Sequence, residues 1–453
     1  MNIINPATEE VIVEIDADSP ETIASKYRSA ALAQPHWAAL SIAERLACIQ
    51  KFHDLLRVES EALATTLTAE VGKPLSQSEG EIKGAQGRIS YFLENSERVL
   101  QEEWITSSGA TKEKITYEPL GVIANISAWN YPYLVGVNVF IPALIAGNAV
   151  LYKPSEFAIL TGLHIARLLH AAGVPEDIFQ TITGAGSAGV TLSELPLNGY
   201  FFTGSYATGQ KLAVAVAGKM VPLQMELGGK DPLYVMDDIA DLKKTAADVL
   251  EGLMYNAGQS CCAVERVYVQ EAIYDDFTKA IREEAEKLSI GDPMILVGMG
   301  PLCRPQQIPV LQQQVEDALQ KGAQILYQTP QVPAKGYYFP VTLLTEVNHG
   351  MLLMMEESFG PVVGIQKVKT DEEAILLMLD TPYGLTASVY GDRLKRAEII
   401  MQQMRTGTVY FNCCDRVSAT LPWSGRGHSG MGSTLSFQGI RAFVQPKAWH
   451  LRG

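Results

Sequence analysis

Between residues 121 and 390 the chain alternates short apolar runs with segments of helical periodicity, and this alternation leaves few folds open. The first set runs as strand 121–126, a buried helix within 134–151, strand 149–152, helix 158–172 closed by Gly173, strand 179–182, helix 186–195, strand 199–202 and helix 205–217. A second set follows as strand 233–235, helix 240–255, strand 266–269, helices 272–288 and 310–321, strand 364–368, helix 371–379 and strand 387–390. Uninterrupted apolar runs suit strands whose sheet is covered by helices on both faces. The intervening helices supply the crossovers that parallel strands need. The pattern predicts an α/β chain with two doubly wound, Rossmann-like units that hold ligands at the carboxyl ends of their strands.

The boundary between the two sets falls near Gly228-Gly229. Residues 21–100 read as mostly helical, with segments at 41–56 and at 59–71, the latter ending at Gly72. Residues 112–117 alternate like an exposed strand, and residues 439–450 read as an extended arm able to pair with another subunit.

With 453 residues and a formal net charge of -14, the chain has room for such units, and it lacks the run of lysines and arginines that a nucleic-acid footprint needs. Six cysteines, at 48, 261, 262, 303, 413 and 414, show neither a disulfide spacing nor a Cys-x-x-Cys pair, so reduced thiols are expected. The histidines are scattered singly and predict no metal site. The longest apolar stretch is interrupted by Asn138, Pro142 and Asn148, which argues against a membrane span. The opening residues Met1 to Pro6 lack the features of a signal peptide, and the expected compartment is the cytoplasm.

Six segments carry candidate chemistry. Gly258-Gln259-Ser260-Cys261-Cys262 places a thiol on a connection between a helix and a strand, where its thiolate would be a strong nucleophile. Met225-Glu226-Leu227-Gly228-Gly229 sets a carboxylate between an apolar run and a flexible turn, where partial burial would raise its pKa toward that of a general base. Asn130, in Trp129-Asn130-Tyr131-Pro132, follows strand 121–126 and could direct an amide at a developing oxyanion. Lys153-Pro154-Ser155-Glu156 offers an ammonium and a carboxylate where a nucleotide ribose would lie. Thr203-Gly204-Ser205 and the glycine pattern from Gly184 to Gly189 both sit at strand-to-helix junctions suited to phosphate.

Together with Glu357-Ser358-Phe359-Gly360-Pro361, and apart from the Gly184 to Gly189 pattern, these segments resemble in content and in their order along the chain the signatures of the NAD(P)-dependent aldehyde dehydrogenase superfamily, which does not use that glycine fingerprint. The resemblance implies that Cys261 attacks the aldehyde carbon, that Asn130 and the Cys261 N–H receive the oxyanion, and that Glu226 activates the water that hydrolyses a thioester. It implies cofactor contacts from Trp129, Lys153, Ser155, Glu156, Gly186, Gly204, Ser205, Gly209, Glu357 and Phe359. It assigns 1–96 and 118–228 to a cofactor-binding domain, 229–432 to a catalytic domain, and 97–117 with 433–453 to a small β arm for oligomerisation, in a homodimer or homotetramer. Glu156 favours NAD over NADP, because its carboxylate would hydrogen-bond a 2′-hydroxyl and repel a 2′-phosphate.

By position, Tyr131, Val135, Asn138, Tyr255, Arg416 and Trp423 correspond to residues lining a substrate tunnel. Some succinate-semialdehyde enzymes carry arginines at the positions of Asn138 and Tyr255, so the expected substrate is a small or medium, uncharged or aromatic aldehyde. Arg416 is the one cation the sequence offers at the tunnel mouth. Ser424-Gly425-Arg426-Gly427 departs from a common Gly-Gly-x-Lys pattern without touching the catalytic set. A CoA-acylating dehydrogenase and a cysteine hydrolase are the alternatives, the first disfavoured by Glu226 and the second by the lack of a histidine near Cys261.

Overall fold

The computed structural model describes residues 1–453. Residues Val122–Ile126 are wholly buried, and they form the centre of a six-stranded sheet. On one side lie Ala149–Lys153 and then Phe179–Thr181, all parallel. On the other side lie Gly199–Thr203 and Leu223–Glu226, also parallel, and then Gly430–Met431, which is antiparallel. The chain reverses its direction of travel across the sheet between Val122–Ile126 and Gly199–Thr203, which opens a crevice beyond their carboxyl ends.

A second sheet has seven strands in the order Gln324–Gln328, Thr342–Thr345, Val362–Val368, Val264–Gln270, Asp231–Val235, Thr386–Tyr390 and Thr408–Phe411. All pairs are parallel except the first. Each sheet organises its own apolar core, and the helices of residues 20–100 pack into the first of them. Their boundaries follow local chemistry. Ser41 and Glu44 form a reciprocal capping box at the start of Ile42–Val58, and Gly72, at φ +85°, closes Ser60–Val71.

A three-stranded antiparallel sheet joins Glu103–Thr106, Thr111–Pro119 and Val444–Arg452. The last strand pairs residue for residue from Val444 with Pro119 to Arg452 with Thr111, and beyond Val444 it is exposed along its length. No helix is long and apolar enough to cross a membrane.

The structure corrects the expected boundaries at the carboxyl end. Gly430–Met431 belongs to the first sheet although it falls within 229–432. Residues 433–443 are also not an arm: Ser436–Arg441 is a helix with Ile440 buried, and Phe443 stacks on Phe201 of the first core at 4.4 Å between ring centroids.

Candidate active site

The nucleophile candidate owes its position to an unusual backbone path. Helix Leu242–Met254 ends, and Asn256, Ala257 and Gly258 then take left-handed conformations in succession, at φ +53°, +56° and +71°. Two of these residues have a Cβ, so the turn holds strain that neighbouring contacts must offset. Asn256 supplies several. Its N–H donates to Gln77 Oε1 at 3.0 Å, and its Nδ2 donates to the carbonyls of Asn130 and Gln259, each at 3.2 Å. Gln259 in turn accepts from Asn130 Nδ2 at 3.1 Å and from the Cys303 N–H at 2.9 Å. The loop after Val122–Ile126 and the loop carrying Cys261 are thus held as one body.

Cys261 is half-buried and faces the crevice, while Cys262 points into the core. The Cys262 thiol lies 2.9 Å from Asp415 Oδ1. The Cys261 thiol beside it, its own burial and the Asp415 carboxylate all push its pKa well up. Of the two adjacent thiols, Cys262 is therefore the poor nucleophile. The backbone N–H of Cys261 donates to no group of the chain and is free to meet an oxyanion.

Glu226 ends its strand on the same crevice. Its Oε1 accepts from Thr434 Oγ1 at 2.7 Å, and both Thr434 and the neighbouring Trp423 act to lower its pKa. Burial outweighs both and raises the pKa to about 7. Such a carboxyl can take a proton from water at neutral pH.

The crevice is a cavity of about 820 Å³ that gathers Cys261, Glu226 and Asn130 with Trp129, Lys153, Ser155, Glu156, Gly186, Gly204, Ser205, Glu357, Phe359 and Val135. Gly204 stands where a side chain would not fit, since a Cβ there would lie 2.5 Å from the Phe202 ring, whereas a Cβ on Gly186 would meet nothing within 4 Å. Ser205 caps Tyr206–Val216, leaving free N–H groups at the helix start. Lys153 Nζ sits 3.9 Å from Glu156, and burial lowers its pKa. Trp129 meets Phe157 and Phe359 edge-on, at 6.5 and 5.6 Å between centroids, with the Arg304 guanidinium 5.5 Å above its ring.

Glu357 Oε1 accepts from the Gly229 N–H at 3.1 Å, and its carboxyl lies so close over Gly228 that a Cβ there would collide at 2.2 Å. Burial and the neighbouring Glu265 carboxylate raise its pKa to about 8. Glu265 accepts from Lys230 Nζ at 2.7 Å and from the N–H groups of Ser358 and Phe359, both at 2.8 Å. Phe359, left-handed at φ +48°, is held in that conformation by this carboxylate.

The remaining expected residues separate. Gly209 does not line the cavity; it lets Tyr206–Val216 approach Leu227, whose Cδ2 would lie 2.7 Å from an added Cβ. Tyr131 stacks on Tyr255 at 6.5 Å between centroids and carries the Lys73 ammonium 3.8 Å over its ring. Trp423 is turned to Glu226 and bridges Thr434. Asn138 is buried and accepts from Arg88 Nη1 at 3.0 Å. Arg416 is exposed, 3.2 Å from Glu251, and is not among the residues lining the cavity. Sequence reading missed Arg88, Glu265, Arg304 and Thr434, none of which stands in a segment with a recognisable spacing. No cluster of three or more His, Cys, Asp or Glu residues is placed to hold a metal ion.

A family model described as the aldehyde dehydrogenase family matches residues 1–449. The chain belongs to the aldehyde dehydrogenase family. Among curated relatives, lactaldehyde dehydrogenase of Escherichia coli is 32% identical over all of this chain and 95% of its own length. Among solved structures, betaine aldehyde dehydrogenase from Staphylococcus aureus in complex with NAD+ superposes with a TM-score of 0.96 at 29% identity, covering all of this chain and 92% of that one. An E. coli NADP-dependent enzyme does so with a TM-score of 0.96 at 30% identity, over 100% and 94% of the two chains. The protein is therefore an oxidoreductase that acts on aldehydes, in a family that uses NAD(P).

Proposed function

We propose that this aldehyde dehydrogenase oxidises its substrate through a covalent thioester on Cys261, with Glu226 as the base that hydrolyses it. The thiolate adds to the aldehyde carbon, and the oxyanion so formed is met by the Cys261 N–H and the Asn130 amide. A nicotinamide held beside Cys261 by Glu357 and Phe359 would supply the acceptor for the hydride lost from that carbon. Water deprotonated by Glu226 then attacks the thioester carbonyl, the C–S bond breaks, and carboxylate leaves with the thiolate restored. The observation that carries this reading is the meeting in one cavity of a half-buried thiol with a free N–H beside it and a carboxyl whose pKa is about 7. Glu226 also disfavours the CoA-acylating alternative, which needs no hydrolytic base.

The cavity fits a dinucleotide in its own features: the crevice at the strand reversal, the free N–H groups at Ser205, the side-chain-free Gly204 and the aromatic wall of Trp129 and Phe359. Lys153 and Glu156 would hold the adenosine ribose, and Glu357 the nicotinamide ribose. Glu156 makes NAD the preferred cofactor, as a comparison of kcat/KM with NAD and NADP will read directly. The exposed edge of Val444–Arg452 is the surface through which a dimer or tetramer would form.

The deciding experiment follows NADH production from an aldehyde panel with wild type and Cys261→Ala. Wild type is expected to turn over at least one aldehyde and the variant none. NADH formation that survives in the variant would reject Cys261 as nucleophile.

A further inference from the structure

Arg88 lies on helix Leu75–Leu100 and is 9% exposed, yet it has no carboxylate partner. Its Nη1 donates to the Leu134 carbonyl at 3.1 Å and to Asn138 Oδ1 at 3.0 Å, both neutral acceptors. Its Nε and Nη2 donate to nothing in the chain. The nearby carboxylates are committed elsewhere. Glu81 is bound by Lys73 and accepts from the Tyr133 N–H, Glu226 accepts from Thr434, and Asp415 engages Cys262. A guanidinium taken out of water normally acquires an anion, because desolvation without one costs several kcal/mol. Arg88 is thus a cation awaiting a counter-ion.

Its location identifies which. Leu134 and Asn138 stand on helix Pro132–Ala146, on the face shared by Tyr131 and Val135, and Val135 lines the cavity with Asn130 and Cys261. Cys261, Cys262, Glu226 and Glu81 are the acidic groups whose charges act on Arg88. In the same region the Tyr131 hydroxyl is buried without a partner. Asn138, by accepting from Nη1, orients the guanidinium plane and leaves its other edge free for a bidentate contact.

We propose that Arg88 is the specificity-determining residue of this active site and binds a carboxylate at the far end of the aldehyde substrate, so that the enzyme oxidises short ω-carboxy aldehydes in preference to neutral ones. This rests on the thioester reading above, and it revises the uncharged substrate expected from the sequence. That expectation looked for cations at Asn138 and Tyr255 and found none; here the cation comes from a different helix and uses Asn138 as its support.

The test compares ω-carboxy aldehydes of increasing chain length with their methyl esters, in wild type, Arg88→Gln and Arg88→Lys. Wild type should favour the best acid over its ester by roughly 10- to 100-fold in kcat/KM, the range of a hydrogen-bonded charge pair. Arg88→Gln should erase that preference, mainly through KM, with the acid losing far more than the ester, and Arg88→Lys should restore part of it. A wild-type enzyme that treats acids and esters alike, or prefers the esters, overturns the proposal without any variant having to fold. Equal losses on both substrates in Arg88→Gln would also overturn it, since that marks a structural arginine. Absence of NADH from every aldehyde, by contrast, would count against the thioester reading itself.

Discussion

Glu226 and Glu357 share one cavity, and burial raises both pKa values, but they differ in what surrounds them. Glu226 has the Thr434 hydroxyl as donor, with Trp423 beside it, and a pKa of about 7; Glu357 has one backbone donor, a repelling neighbour in Glu265 and a pKa of about 8. A base that must take a proton from water works only when ionised, so steady-state turnover is expected to rise as pH increases through about 7 and then level off. Glu226→Gln should abolish this rise and stop the enzyme after a burst of one NADH per active site, read by stopped flow. A pH profile unchanged in the variant would remove Glu226 from the hydrolytic step. Cys261 and Glu226 were legible in the sequence because each stands in a segment of distinctive composition. Arg88 was not, because it lies on a polar helix whose charges read as solvated, and only the packing of that helix on Pro132–Ala146 shows that this one is buried.

At the scale of elements, the site depends on two strands of the second sheet that carry no reacting group. Lys230 precedes Asp231–Val235, Glu265 lies in Val264–Gln270, and their ion pair fixes the segment Ser358–Phe359 through its N–H groups. Removing one member of a buried pair leaves the other uncompensated, at a cost of about 3–5 kcal/mol. Glu265→Gln is therefore expected to lower the melting temperature and raise KM for NAD, with a much smaller effect on acylation once cofactor is saturating. A variant with unchanged KM for NAD would show that this network does not position Glu357 and Phe359. Most central strands were legible because burial on both faces leaves uninterrupted apolar runs, while the interior strand Thr342–Thr345, only four residues long and bounded by threonines, was missed. The edge strands Gln324–Gln328 and Thr408–Phe411 were missed as well, since neither is buried throughout and so neither carries that signature.

Over the whole molecule, burial pushes Asp231, Asp415 and three glutamates from different parts of the fold above the ordinary carboxyl range. Glu70 accepts from the Leu160 and Thr161 N–H groups and from Thr161 Oγ1 at the start of Ile159–Ala172, and burial nevertheless brings it to about 7, like Glu226 and close to Glu357 at about 8. In the unfolded chain each would ionise near 4.5. Between that value and the folded pKa the native state holds more protons than the unfolded state, so the slope of unfolding free energy with pH is negative. Their contribution is greatest below about pH 4.5 and is lost as pH rises through 7 to 8. For Glu70 alone the loss is on the order of 3 kcal/mol. Cofactor-free enzyme is accordingly expected to melt at progressively lower temperature from pH 5.5 to about 8, with Glu70→Gln flattening the decline whatever its effect on absolute stability. Saturating NAD should flatten it further if ribose binding at Glu357 changes that residue's protonation. A melting temperature independent of pH across this interval, in wild type and variant alike, would show that these carboxyls are ionised in the folded enzyme and that Glu226 lacks the near-neutral pKa its proposed role requires.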